Sequence, residues 1–151
     1  MLFHERKNPR IPGYDYSKEN FYFITICTSN KKCIFGSPNY LNKFGMIADE
    51  YIQKIPEYYP NVIVDKYVVM PNHVHIILYL TVANNSKVSQ IVGQYKMAVS
   101  KAIRAMAGDI SVWQRSFYDH VIRNEKRYLK IWEYIDNNPA KWETDCFYQT
   151  E

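Results

Sequence analysis

Apolar and polar positions change period several times along the 151 residues, and the changes mark the elements. FYFITICT (21–28) is aromatic, β-branched and almost continuously apolar, which predicts a central strand covered on both faces. Asn30-Lys31-Lys32 ends it. Met46, Ile47, Tyr51, Ile52 and Ile55 then follow helical spacing and predict a helix from Gly45 to Tyr59, closed by Pro56 and Pro60. NVIVDKYVVM (61–70) and HVHIILYL (73–80) read as strands. With only Pro71-Asn72 between them they should form an antiparallel hairpin.

ANNS (83–86) is a polar link in which Ser86 is the expected N-cap. Val88, Ile91, Val92, Tyr95, Val99, Ala102, Ile103 and Met106 recur at i, i+3 and i+4, which predicts the longest helix, stopped at Gly108. SVWQRSF (111–117) predicts a short strand or turn, with YDHVIR leading on to Asn124. Asn124 is the expected N-cap of a last helix that ends near Pro139. Residues 1–20 carry Pro9, Pro12 and Gly13 among polar side chains and read as an irregular arm. The order β-α-β-β-α-β, with a helix appended, is the α+β ferredoxin-like split plan on an antiparallel sheet. The length suits one domain over residues 1–151, with 139–151 as a short tail.

Composition excludes more than it selects. Hydrophobic residues at 47% and charged residues at 23% argue against disorder and collagen-like repeats. Cys27, Cys33 and Cys146 form no CxxC and are odd in number, which disfavours a disulfide framework or a zinc knuckle and suits a reducing cytosol. The polar start MLFHERKNPR shows no signal peptide, and the longest apolar run is too short for a bilayer, so a cytoplasmic protein without a membrane partner is expected.

Charge is more informative by position. Residues 87–130 hold nine basic and three acidic side chains, whereas 131–151 hold one basic and five acidic. The basic stretch fits a phosphate-backbone footprint, and a solvated helix face accounts for it equally well. Aromatic residues make up 16% of the chain, fourteen of them tyrosines, and interleaved with Lys and Arg they lean towards single-stranded nucleic acid.

The sharpest candidate chemistry is His73-Val74-His75. Side chains two apart on a strand share a face, so the imidazoles project side by side and can hold one metal ion, while Val74, Ile76, Leu78 and Leu80 line the opposite face. Two surface histidines would have the same spacing. Tyr134 and Asn138 lie at i and i+4, on one helix face. A tyrosine is a possible nucleophile and an amide oxygen a possible ligand for a hard cation. Core packing of Tyr134 and capping by Asn138 before Pro139 is the plainer alternative.

The strings VVMPNHVHIIL, QIVGQYKMAVSKAIR and VWQRSFYDHVIRNEKRYLKIWEYIDNNP occur in that order, and with them the chain resembles the single-tyrosine HUH transposases (the IS200-like transposase family), most closely the REP-associated branch. The resemblance covers most of residues 10–140. It implies that Tyr134 is the nucleophile and that His73, His75 and Asn138 bind a divalent metal, Mg²⁺ or Mn²⁺. The final Asn, where insertion-sequence members usually carry Gln, points to the REP-associated branch. The implied activity is nicking and rejoining of single-stranded DNA, hairpin-containing, through a 5′-phosphotyrosine. Family members dock the nucleophile helix on their own subunit or a partner's, so a homodimer is allowed.

Tyr118, beside Asp119 and His120, competes as nucleophile, with packing or DNA contact as its alternative role. DNA contact is expected from Arg10, Lys87, Gln94, Lys96, Lys101, Arg104, Arg115 and Arg123, with Arg6, Lys7, Tyr14 and Tyr16 in the arm. In the REP-associated branch a tail can influence access to the site. Two other classes fit parts of the sequence: a ferredoxin-like single-strand binder without chemistry, although the RNP1 pattern is absent, and a small metal-dependent hydrolase needing only the histidine pair.

Overall fold

The structure, a computed structural model, describes residues 10–145, 147 and 148. The expectations placed on Arg6, Lys7 and Cys146 lie outside the described residues. Strand β1 (Asn20–Cys27) is followed by a small hairpin of β2 (Gly36–Ser37) and β3 (Tyr40–Leu41), which the sequence pattern did not announce. Helices α1 (Lys43–Gln53) and α2 (Ile55–Tyr58) come next, then strands β4 (Val62–Met70) and β5 (His73–Leu80), helix α3 (Val88–Ala107), strand β6 (Tyr118–Ile122) and helix α4 (Glu125–Asn137). A 3₁₀ segment, Pro139–Thr144, closes the described chain.

The main sheet has the order β4-β5-β1-β6 with every neighbouring pair antiparallel, which is the ferredoxin-like arrangement. β1 is central, as its continuous apolar character requires. Its even-numbered side chains Tyr22, Ile24 and Ile26 enter the larger core with Val74, Ile76, Leu78 and Leu80 of β5. Against them pack Ala48 and Ile52 of α1 and the stripe Val88, Ile91, Val92, Tyr95, Val99 and Ile103 of α3. The other face is smaller. Phe23, Ile77 and Ile122 there meet only Ile131 and Ile135 of α4 as fully buried partners.

Four expectations need correction. The helix predicted over 45–59 starts at Lys43, because the Asn42 side chain caps it by accepting from the Gly45 N–H, and it breaks at Lys54, so Pro56 opens a separate turn rather than closing the first. The N-cap position of α3 is Lys87, not Ser86. Ser86 N–H is taken by Asn84 Oδ1 in the preceding turn, and Gln90 Oε1 caps the Lys87 N–H at 2.8 Å. Met106, read as part of the apolar stripe, is 53% exposed in the last turn of α3. Residues 111–117, expected as a short strand or turn, contribute only a bridge between Thr28 and Trp113, and the fourth sheet strand is instead YDHVI, 118–122, which the sequence pattern reads as a lead-in to Asn124. Its pattern was hidden because a carboxylate, Asp119, occupies a buried position, where Arg10 meets it with two hydrogen bonds of 2.9 and 3.1 Å.

Among the described residues no helix is long and apolar enough to cross a membrane.

Candidate active site

The smaller face of the sheet gathers the candidate chemistry because β5 alternates strictly. With Val74, Ile76 and Leu78 committed to the main core, His73, His75 and Ile77 must face α4. Both imidazoles are fully buried, with ring centroids 4.6 Å apart. They are not the surface pair that HxH spacing alone allows.

Each imidazole is oriented from behind. Asn72 Oδ1 lies 2.8 Å from His73 Nδ1, while Asn72 Nδ2 donates to the carbonyls of Lys31 and Phe147 at 3.1 and 2.7 Å. That network makes Asn72 Oδ1 the acceptor, so His73 carries its proton on Nδ1 and turns a lone pair outward at Nε2. Thr25 Oγ1 lies 2.8 Å from His75 Nδ1 and fixes the orientation of that ring. The Nε2 atoms of both histidines are buried and have no hydrogen-bond partner among the described residues. Burial holds both imidazoles neutral. It lowers His73 to about 3, partly opposed by the nearby Asn138 amide and reinforced by Lys31. It lowers His75 well below the ordinary value, with His73 adding to the effect.

Helix α4 brings the remaining groups. Asn124 caps it by accepting from the Arg127 N–H at 2.8 Å, as its sequence position implied. The Tyr134 ring lies 5.2 Å from that of His75 and edge-on to Phe23 at 6.4 Å. Asn138 is buried one residue past the helix, its Nδ2 donating to the Tyr134 carbonyl at 3.2 Å. That bond turns its Oδ1 away from the helix, and this oxygen has no hydrogen-bond partner among the described residues. Although Asn138 is near enough to influence His73, the two do not meet in hydrogen-bond geometry. A cavity of about 250 Å³ opens beside Tyr134 and Asn138, edged by Lys130, Lys141 and Asp145.

The donor set fits a divalent cation. Three buried polar atoms without partners among the described residues, two neutral imidazole nitrogens and an amide oxygen, come from adjacent side chains whose other polar atoms are already engaged. Among the described residues no third His, Cys, Asp or Glu joins the pair, so an amide oxygen is the protein donor at hand. Phe147 covers the histidines, its ring 4.6 Å from His73.

The candidate DNA contacts do not form one surface. Lys96 Nζ donates to the carbonyls of Gln114 and Arg115, and Arg104 Nε to that of Ile110, so both anchor the loop before β6. With the exposed Lys101 they edge a groove of about 500 Å³ beside α3. Arg10 is held against Asp119 and stacks on the Tyr16 ring at 3.8 Å. Lys87 and Arg115 are exposed and Gln94 is half-buried on α3. Arg123, also exposed, borders a different cleft with His120 and Arg127. His120 stacks on Phe23, and Tyr118 pairs with Thr25 across the sheet.

Sequence reasoning missed Asn72 and Thr25. A lone Thr in an otherwise apolar strand, and an Asn immediately before the first histidine, were the available signals.

The family described as "Transposase IS200 like" matches residues 18–138. The chain belongs to that family. An uncharacterised protein of Haemophilus influenzae is 37% identical, over 96% of this chain and 94% of its own length. A second protein of that organism, described as a REP-associated tyrosine transposase, is 26% identical over 84% of this chain and 74% of its own. Among solved structures, a REP-associated tyrosine transposase bound to a REP hairpin superposes with a TM-score of 0.69 at 25% identity, covering 87% of this chain and 73% of that one. A transposase from Deinococcus radiodurans, at 17% identity, shares the fold with a TM-score of 0.57 over 85% of this chain and 95% of its own. This IS200-like chain thus has its likeness in both sequence and fold.

Proposed function

We propose that this IS200-like transposase is a divalent-metal-dependent, single-strand-specific DNA endonuclease and strand transferase that works through a phosphotyrosine at Tyr134. The observation that carries the reading is the convergence of His73 Nε2, His75 Nε2 and Asn138 Oδ1, all buried and without hydrogen-bond partners among the described residues, beside the Tyr134 ring. The relative bound to a REP hairpin supports hairpin-containing DNA as the substrate class.

His73, His75 and Asn138 would hold the cation, and imidazole donors favour Mn²⁺ over Mg²⁺. When bound, the cation supplies Lewis-acid stabilisation of the charge that grows on a non-bridging phosphate oxygen. The chain's own groups do the rest. Tyr134 Oη forms the new bond to phosphorus while the bond to the 3′-oxygen breaks, leaving a 5′-phosphotyrosine and a free 3′-hydroxyl. The phenol proton is balanced by the proton the departing 3′-oxygen takes up. Phosphodiester energy is kept in the tyrosyl ester, so attack by another 3′-hydroxyl reverses the step and joins strands.

The test is to incubate the protein with single-stranded DNA from the flanks of its own gene and with hairpin oligonucleotides, then run a denaturing protein gel. A slower-migrating covalent band that needs Mn²⁺ or Mg²⁺ and disappears with chelator is expected. DNA binding with no band on any of these substrates would instead favour a binding module. Asn72→Ala tests the supporting network separately. Removing the acceptor behind His73 should weaken Mn²⁺ binding roughly 10–100-fold, read by calorimetry on the folded variant.

A further inference from the structure

Strand β4 carries one irregularity. Its pairing with β5 shifts between Val64 and Lys66, which makes Asp65 the additional residue of a β-bulge. In an unbroken strand, residues 62, 64, 66 and 68 would share a face. Here Val62 and Val64 join the larger core, and Val68 packs on the opposite face with α4. The bulge therefore lets two consecutive side chains reach the same helix. Asp65 Oδ2 accepts from the Tyr128 hydroxyl at 2.5 Å. Lys66 Nζ pairs with Asp136 Oδ1 at 2.8 Å and lies 3.9 Å from the centre of the Trp132 ring. Tyr128, Trp132 and Asp136 are spaced four apart, a single stripe along α4.

Ile131 and Ile135 are the two buried residues of α4, and the half-buried Tyr128, Trp132 and Tyr134 pack beside them. Apolar contact is non-directional, so polar contacts at defined positions add what it lacks, a fixed rotation and height of the helix. Tyr134 sits between the two gripped positions 132 and 136. We propose that Asp65 and Lys66 are positioning residues for Tyr134: the bulge grips α4 along one stripe and sets the rotation and height at which the phenol meets the His73–His75 pair. This rests on the tyrosine-nucleophile reading above. Neither residue touches a reacting atom. Lys66 and Asp136 retain 21% and 52% of their side-chain exposure, so their pair adds little to global stability. A misplacement of about 1 Å at the reacting atoms, by contrast, costs on the order of 10²-fold in rate.

The experiment measures single-turnover adduct formation at saturating Mn²⁺ on an oligonucleotide that wild type cleaves, for Lys66→Ala, Lys66→Arg and the exchanged pair Lys66→Asp with Asp136→Lys. Lys66→Ala should lower the rate about 10–100-fold, while half-saturation by DNA and by Mn²⁺ stays within about twofold of wild type. Lys66→Arg keeps both the ion pair and the ring contact and should stay close to wild type. The exchanged pair should recover part of the loss.

Thermal melting identifies a variant that does not fold, and Asp136→Asn, a smaller change, then asks the same question. A wild-type rate in Lys66→Ala, or an equal loss in Lys66→Arg, overturns the proposal. So does a loss confined to DNA affinity. A wild-type protein that forms no adduct removes the proposal together with the reading it rests on, whereas a wild-type adduct with an unimpaired Lys66→Ala removes the grip alone.

Discussion

Tyr134→Phe protein is expected to bind hairpin-containing single-stranded DNA as wild type does and to form no covalent adduct, a loss of at least about 10³-fold in cleavage. The substitution deletes one oxygen and keeps the ring, so the contacts with Phe23 and His75 remain. Under the proposed mechanism that oxygen is the atom that bonds to phosphorus, and no neighbouring group stands in for it. Tyr118→Phe is the matched control. Tyr118 lies on β6, beside Thr25 rather than on α4, and its removal should leave the adduct intact. Gel retardation measures binding and the denaturing gel measures attachment. Cleavage surviving in Tyr134→Phe would point to activated water and a hydrolase that uses the histidines alone.

The second large effect is on stability, and it comes from acid. His73 and His75 stay neutral in the folded chain because burial disfavours their charged forms, with His73 held at about 3. In the unfolded chain each takes up a proton near pH 6.5. Below that pH the unfolded state binds more protons, so stability is complete above about 6.5 and falls as pH is lowered. Each such group contributes a slope of about 1.4 kcal/mol per pH unit. His73 alone, held at about 3, gives a loss of about 3 kcal/mol between pH 6.5 and 4.5, and His75 acts in the same direction. Metal-free protein should therefore be clearly less stable at pH 4.5 than at pH 7, with its acid transition beginning before most carboxylates titrate. His120, whose proton affinity is also lowered by burial and then by Arg127, acts in the same direction. Near-ultraviolet circular dichroism against pH measures the transition. A chain equally stable at pH 7 and pH 4.5 would contradict the burial of the pair.

The parts of this fold legible in the sequence are those where one period governs. Strict alternation in HVHIILYL put both imidazoles on the face opposite Val74, Ile76 and Leu78, and α3 shows its buried stripe from Val88 to Ile103. The i, i+4 relation of Tyr134 and Asn138 needed only a helix. What stayed hidden depends on contacts between distant segments. Asp119 made YDHVI read as something other than a strand, because its partner Arg10 is 109 residues away. The shift at Asp65 reverses the parity of β4, and nothing in NVIVDKYVVM marks it. Asn72 and Thr25 look like turn and strand residues until β1 and β5 are paired, since only then does Thr25 face His75. The basic positions of α3 looked alike in sequence, yet Lys96 and Arg104 secure the chain leading to β6 while Lys101 does not share those bonds.

The cover over the histidines has a consequence for how the site opens. Nothing reaches either Nε2 from the Phe147 side without displacing that ring, and the carbonyl of the same residue accepts the shorter of the two hydrogen bonds from Asn72 Nδ2. Access and orientation are thus in competition, because the movement that uncovers His73 also loosens the group that aims it. The Lys31 carbonyl is the counterweight. It holds Asn72 from the other side, in a turn where Asn30 and Lys31 both take left-handed backbone angles, φ 54° and 53°. Few residues adopt that conformation without compensation. The turn at the end of β1 thus gives Asn72, and through it His73, a second anchor that does not depend on Phe147.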